Sequence, residues 1–417
     1  MSHKFFISTI TSALSLLSLS ASAGSWELND VTYLLPLPTQ TLQSASINAQ
    51  EVAGGNALIP RDFFAKAGGT DFTTGDIIPR TSGFNSYENL FVVGVRIDPC
   101  FRDHFADACR HQIRMVWQPV DHWADNQPIT VDATVHTFYD LSENEFNALL
   151  GQLQLIKGEY KVNTSHLPLS LHPGFSKTGA TEFQKAFKQT LLGYVDLKHL
   201  SRIAIATIGA FELGWTMFSN NFDGKTFTPV QIFNNQTGQQ RIKNPGGLSL
   251  DLTTGTSADI AARALQYFST TDIHSSQHAS CAYVSSTGAL DPAEQGDQLF
   301  AILKNSNVVT DPKSGTQTAQ TYLNRAVRIE NPKLNLPGTI DCLSCHSATM
   351  VKVITSRALG LPLPRGMTTT ANVQNTSRYY GDTHNLRMLG YVDSDIQLGD
   401  RVIHESAAVA DSLNSGP

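Results

Sequence analysis

Positive charge is in short supply. Lys and Arg number 30 against 36 Asp and Glu in 417 residues, a formal net charge of −6. A chain that grips phosphate backbones carries the opposite surplus, so no nucleic-acid partner is expected. Long apolar runs are missing too. Beyond the N-terminus the longest, Ile203 to Phe211, has nine residues, under half of the roughly 20 that a bilayer-spanning helix needs. There is no internal repeat, heptad array or low-complexity tract, which removes collagen, coiled coils and solenoids. No G-x-G-x-x-G follows a strand candidate, and neither a P-loop nor a G-x-S-x-G elbow occurs. Nucleotide binding and serine-hydrolase chemistry therefore have no sequence support. With 41% hydrophobic and 16% charged residues, the chain has the composition of a globular protein of about two domains, not of a disordered one.

What is present begins with an address. Lys4 precedes an apolar stretch from Phe5 to Leu19, and Ala21-Ser22-Ala23 supplies an A-x-A cleavage pattern before Gly24. This reads as a secretory signal over residues 1–23, so the rest of the chain is expected to be periplasmic or secreted.

Export changes how the five cysteines are read, because an oxidising compartment favours disulfides. Cys100 and Cys109 bracket a short polar segment between the strand candidates Leu90–Ile97 and Gln112–Val120, and a disulfide between them is expected. Cys342 and Cys345 belong to a different pattern, Cys342-Leu343-Ser344-Cys345-His346. C-x-x-C-H is the spacing of c-type haem attachment: two thiols add to the two vinyl groups of one porphyrin, and the adjoining His346 supplies the proximal imidazole. Chance alone would place it in about two per thousand chains with these Cys and His frequencies. A zinc knuckle would want a second Cys/His pair nearby, and none follows. A thioredoxin-type dithiol would want a βαβ framework, which the pattern does not offer.

At these residues the sequence resembles the c-type cytochromes. The resemblance covers the motif and roughly the C-terminal third. It implies a covalently attached haem c, one per chain, in a helical domain loaded after export. Gly296-Asp297-Gln298-Leu299-Phe300 looks like the Gly-x-x-x-aromatic helix that precedes the motif in small members of the family. Here, however, Cys342 lies 42 residues beyond Phe300. The family commonly adds a distal methionine tens of residues downstream. The candidates after His346 are Met350, Met367, Met388, His384 and His404. Met350 falls on the same helix as His346, and Met367 lies in a Pro/Gly-rich loop only 21 residues on. Met388, 42 residues on, is the expected distal iron ligand, with His384 on the same segment as the bis-histidine alternative.

The fold expected is α+β: a mixed region over 24–285 with antiparallel strands, then a mainly helical haem domain over 286–417. Further strand candidates are Ile129–Phe138, Arg202–Ile208 and Lys225–Phe233, rich in β-branched and aromatic residues. Capping-box patterns at Ser142–Glu145 and Thr181–Gln184 open helices running to Ile156 and Leu192. Helical spacing then governs Ala258–Phe268, Pro292–Lys304, Thr316–Val327 and Asp341–Leu359, the last stopped by Gly360 and Pro362. His274, His278 and Cys281 would share a face on a helix and could ligate copper or zinc. The serines and threonines around them favour a loop instead, with Cys281 a leftover thiol. His104, His111, His122, His136, His166 and His172 form no recognisable triad.

The function expected is single-electron transfer outside the cytoplasm, to a redox partner protein or a small-molecule substrate. The alternatives are a haem-dependent oxidoreductase with an open distal site, using His384 with Arg387 or Arg378, and a secreted haem-containing binding or sensor protein.

Overall fold

The computed structural model describes residues 25–39, 41–42, 44–61, 87–103, 107–122, 128–130, 133–208, 214–229, 239–243, 323–337 except 325, Ala348, Lys352, Pro362, 389–392 and 394–415. A one-turn helix α1 (Leu28–Val31) leads into β1 (Thr32–Leu34), the small ribbon β2 (Val52–Ala53) and β3 (Asn56–Ala57), and the long β4 (Leu90–Phe101) and β5 (Arg110–His122). Next come β6 (Pro128–Thr130), β7 (Ala133–Leu141), α2 (Glu143–Glu159), α3 (Glu182–Leu192), β8 (Leu200–Ile208), β9 (Gly214–Phe222), β10 (Phe227–Pro229) and β11 (Gln239–Lys243). The hairpin β12 (Leu389–Val392) and β13 (Asp395–Leu398) precedes the final helix α4 (Asp400–Ser415). Nine of these strands make one antiparallel sheet in the order β1-β4-β5-β7-β8-β9-β10, with β6 on β5 and β11 on β9. The fold is α+β.

Local chemistry explains the elements that the sequence pattern anticipates. Ser142 caps α2: its Oγ accepts from the Glu145 amide at 3.3 Å, and the Glu145 carboxylate accepts from the Ser142 amide at 3.0 Å. The box at α3 is only half made. Thr181 Oγ1 accepts from the Gln184 amide at 3.0 Å, but Gln184 Oε1 is buried without a partner. The strand expected over Ile129–Phe138 is interrupted. β6 pairs with β5 through Thr130 opposite Val120, and β7 pairs with the same strand two residues out of that register, through Val135 opposite Trp117. Of the strand expected over Lys225–Phe233, only Phe227–Pro229 pairs within the described residues. Pro229, with no N–H for the ladder, stands at its end.

Alternation sorts the sheet into two faces. One face carries Val95, Ile97, Ile113, Met115, Trp117, Val135, Tyr139, Ile203 and Ile205, and α2 and α3 close over it with Phe146, Leu149, Leu153, Phe183, Phe187 and Leu191. The second core joins Leu34, Val93, Val116 and Val120 to Leu389, Tyr391, Leu398, Val402, Ile403 and Ala407. Residues from both sides of position 285 thus share one core. The hairpin is keyed there by Gln118, which donates to the Tyr391 carbonyl at 2.9 Å and accepts from the Tyr391 amide at 2.7 Å. Gly390, at φ +144°, lets the backbone come that close, since a Cβ there would run into Gln118 Oε1.

Two stability measurements check this account. Cys100 and Cys109 form a disulfide closing a loop with a separation of nine; replacing both by Ser should cost about 2–3 kcal/mol in denaturant titration. Gly390→Ala, which overpacks the Gln118 clamp and strains the backbone, should cost about 2–3 kcal/mol in the same titration.

Candidate functional site

A row of side chains crosses the second face of the sheet. Thr32, Arg96, Arg114, Phe138, Arg202 and Asn221 stand opposite one another on six neighbouring strands. Three guanidinium groups in one row must be neutralised or stacked to leave water. Arg114 lies over the Phe138 ring at 4.8 Å and the Phe101 ring at 5.3 Å, and Arg202 over Phe138 at 5.5 Å. Asp103 takes Arg202 in a two-pronged pair of 3.1 and 2.8 Å and is shared with Arg110. Arg96 pairs with Glu405 of α4 and lies 3.6 Å from Asp98. Glu405 in turn holds Arg401 at 2.6 Å. Burial alone raises the Glu405 carboxyl, but Arg96, Arg401 and Arg114 outweigh it and hold the group well below the usual carboxylate range.

The same helix reaches a second buried cluster. Residues 326–329 are helical and Leu323, Ala326 and Ile329 are buried, so the helix expected to end at Val327 runs on to Ile329. Arg401 Nη1 donates to the Ile329 carbonyl at 2.7 Å, and His404 Nδ1 lies 3.0 Å from the Glu330 carbonyl. The fully buried Glu330 side chain accepts from Lys352 Nζ at 2.7 Å, and Lys352 also pairs with Asp400. Ala348 and Lys352, the two described residues of the helix expected over Asp341–Leu359, are helical and buried. A carbonyl oxygen can only accept, so Nδ1 carries the imidazole proton. Burial above all, with Lys352 and Arg401 against the opposing effect of Glu330, keeps the ring neutral by lowering its pKa. This is the tautomer and charge state in which an imidazole ligates a metal through Nε2. Among the described residues, no group of three or more His, Cys, Asp or Glu could hold a metal by itself.

Between the arginine row and this cluster opens a cleft of about 220 Å³, lined among others by Arg96, Asp98, Phe101, Pro337, Arg401 and Glu405. Cys100 of the disulfide stands on its wall.

Cys342, Cys345, His346 and every other distal candidate, Met350, Met367, Met388 and His384, lie outside the described residues, as do Arg378 and Arg387. So do the 1–23 signal segment, His104, His274, His278, Cys281, the 296–300 segment and the helices expected over 258–304. Three further histidines have structural work. His172 is buried against Phe183 and Tyr33, with ring centroids at 5.0 and 4.8 Å, and its Nδ1 accepts from the Gly174 amide at 3.1 Å. Burial pushes its pKa down to about 3. His111 stacks on Phe146. His199, which sequence reasoning passed over, sits between two carboxylates, Asp196 at 2.7 Å and Glu145 at 3.2 Å, and so faces no nucleophile. Sequence reasoning also missed α4. Its signal was Val402, Ile403, Ala407 and Ala410 at helical spacing, with Asp400 in the first turn.

No protein-family model, no curated protein and no solved structure matches this chain.

The Arg96–Glu405 pair has a definite pH signature. Glu405→Gln leaves Arg96 buried against a neutral amide and should cost about 3–5 kcal/mol near pH 7. A carboxyl depressed by folding stabilises above its unfolded pKa of about 4.3 and loses that contribution as the pH falls through its folded value. The difference between wild type and Glu405→Gln in urea titrations should therefore be largest at pH 7 and shrink progressively below about pH 4.

Proposed function

We propose that this chain is an exported mono-haem c-type cytochrome that passes single electrons between partners outside the cytoplasm. The observation that carries the reading is Cys342-Leu343-Ser344-Cys345-His346: two thiols and an imidazole at the spacing that covalent haem attachment needs. Cys342 and Cys345 hold the haem, and His346 is its proximal ligand. When bound, the group supplies a one-electron iron couple whose potential follows from axial ligation and burial. The chain's own residues would hold that group through Cys342 and Cys345 and orient it by the His346 imidazole, with Met388 the expected distal ligand.

Three features support the reading. The N-terminal pattern sends the chain to the periplasm or out of the cell, where haem c is attached. Ala348 and Lys352, buried on one helical face just past the motif, suit a haem-bearing helix with one side turned inward. Glu330, Lys352 and Asp400 tie the position of Lys352 to α4, and a redox centre gains from anchoring of that kind. Among the described residues no helix is long and apolar enough to cross a membrane. The partner is a redox protein or a small molecule.

The second reading, a haem oxidoreductase of the peroxidase or oxygenase kind, is favoured by one observation: the cleft at Arg96 and Arg401, open beside α4. A haem-based sensor is the third. One experiment orders them. The exported protein is reduced with dithionite and its visible spectrum recorded before and after carbon monoxide. A c-type spectrum that carbon monoxide leaves unchanged is the expected result and means a closed iron. A shifted spectrum moves the enzyme and sensor readings ahead, and turnover of peroxide with a reducing dye then separates those two. Absence of covalent haem, in a host able to attach it, overturns the proposal. Cys342→Ser with Cys345→Ser should abolish the covalent haem band altogether.

A further inference from the structure

We propose that the cleft between β4 and α4 is a binding site for a small organic monoanion, a carboxylate carried on a compact apolar body such as a single ring or a short alkyl chain. The site is independent of the haem reading, since the residues that line it belong to β4, the turn after it, the 332–337 segment and α4.

Its charged end is built from buried groups. Arg96 and Arg401 are only 4% and 2% exposed, yet both line the cleft. Glu405 lies between them, taking Arg96 on one carboxylate oxygen and Arg401 Nε on the other at 2.6 Å. Arg401 Nη1 is spent on the Ile329 carbonyl at 2.7 Å. Its other terminal nitrogen, Nη2, makes no hydrogen bond among the described residues. The N–H donors of a buried guanidinium are costly to leave unpaired, and an acceptor in the cleft satisfies them.

The balance of charges sets the sign of the ligand. Three arginines, Arg96, Arg102 and Arg401, stand around the cleft against two carboxylates, Asp98 and Glu405. That local surplus of positive charge occurs in a chain whose formal net charge is −6. A cation is disfavoured there and a monoanion is attracted. The planar guanidinium fork matches a carboxylate in particular.

The remaining wall sets the body of the ligand. Phe101, Leu336, Pro337 and Val409 present apolar surface, and Cys100 of the disulfide stands beside them. Apolar lining with a few convergent polar groups is the usual make-up of a small-molecule site. A volume of about 220 Å³ exceeds the roughly 150 Å³ of a cavity that holds benzene, so a ring and its carboxylate fit. It falls short of the roughly 300–1,000 Å³ typical of sites for larger ligands. The wall is also set in advance. Asp98 accepts from the Cys100 amide at 3.0 Å, the disulfide closes the loop, and Asp103, next to Arg102, is held by Arg202 and Arg110. A preorganised site spends little binding energy on ordering itself.

The test is a calorimetric titration of the full exported protein at neutral pH with benzoate, hexanoate, benzamide, benzylammonium and inorganic phosphate. Benzoate or hexanoate should bind at one site per chain and raise Tm. Benzamide, the neutral isostere, and phosphate, an anion without an apolar body, should each bind about tenfold more weakly or worse, the factor that a charge-assisted hydrogen bond supplies. Two variants locate the site. Ala408→Leu fills the cleft from α4 without removing a hydrogen bond, and should abolish binding while leaving the Tm of the free protein little changed. Arg401→Lys keeps the charge but loses the fork, and should weaken benzoate by about tenfold.

Equal affinity for benzoate and benzamide, or a preference for benzylammonium, overturns the anion assignment. Phosphate binding as tightly as benzoate overturns the apolar body. Benzoate binding unchanged in Ala408→Leu places the acid elsewhere and overturns the site. Neither heat nor a rise in Tm with either acid at millimolar concentration overturns the proposal outright. None of these outcomes bears on the haem, so this site and the cytochrome reading fail separately.

Discussion

The pairing of Arg96 with Glu405 is the contact on which the rest of this structure depends. Arg96 sits near the middle of β4 and is almost wholly buried, and an unpaired guanidinium there would be costly. Glu405 lies 309 residues further along the chain, so the requirement of one buried charge draws the C-terminal helix onto the sheet. The pair is not isolated. Arg114 and Arg202 share the same cross-strand row, and each finds its own compensation in aromatic faces or in Asp103. With the row neutralised, the second face of the sheet accepts the apolar side of α4 and the hairpin before it.

That docking has consequences beyond stability. Once α4 is placed, Asp400, Arg401 and His404 are placed with it, and they organise Glu330 and Lys352 into a second buried cluster. The two clusters lie on one helix within two turns, so a disturbance at Arg96 is transmitted to Glu330 and Lys352 through a rigid element rather than a loop. Side chains carried on a packed, ion-paired helix keep their orientation as a loop would not. The docking also means that the N-terminal sheet has a definite part, through α4, in placing Glu330 and Lys352.

Some of this architecture was legible in the residues. β4, β5 and β8 announce themselves by β-branched and aromatic runs, and α2 and α3 by Ser142 and Thr181, because strand alternation and capping are local effects with a fixed spacing. The Cys100–Cys109 bridge follows from two cysteines at the base of one hairpin connection. Other elements were not legible. β1, β12 and β13 are three or four residues long, too short for any periodicity, and they exist only because partner strands or Gln118 satisfy their backbone. The break between β6 and β7 is a change of register against β5, which no pattern within 129–138 records. Gln184 keeps the capping-box sequence yet leaves its amide oxygen unpaired, since burial against the α3 core overrode the local bond.

The candidate site divides along the same line. Adjacent residues alone carry the expectation of haem chemistry: two cysteines and a histidine at the attachment spacing, with an N-terminal pattern that reads as an export signal. Such information is carried by adjacent residues and survives without a fold. Which distant side chains come together is a different kind of information. From the sequence, His404 was one downstream candidate among several and had no feature to raise it above Met388. Only the tertiary structure put its Nδ1 on the Glu330 carbonyl and set Lys352 against Asp400, one helical turn before it. Proximity between residues 50 to 300 positions apart comes from burying charge and apolar surface together, and that is a property of the packed chain.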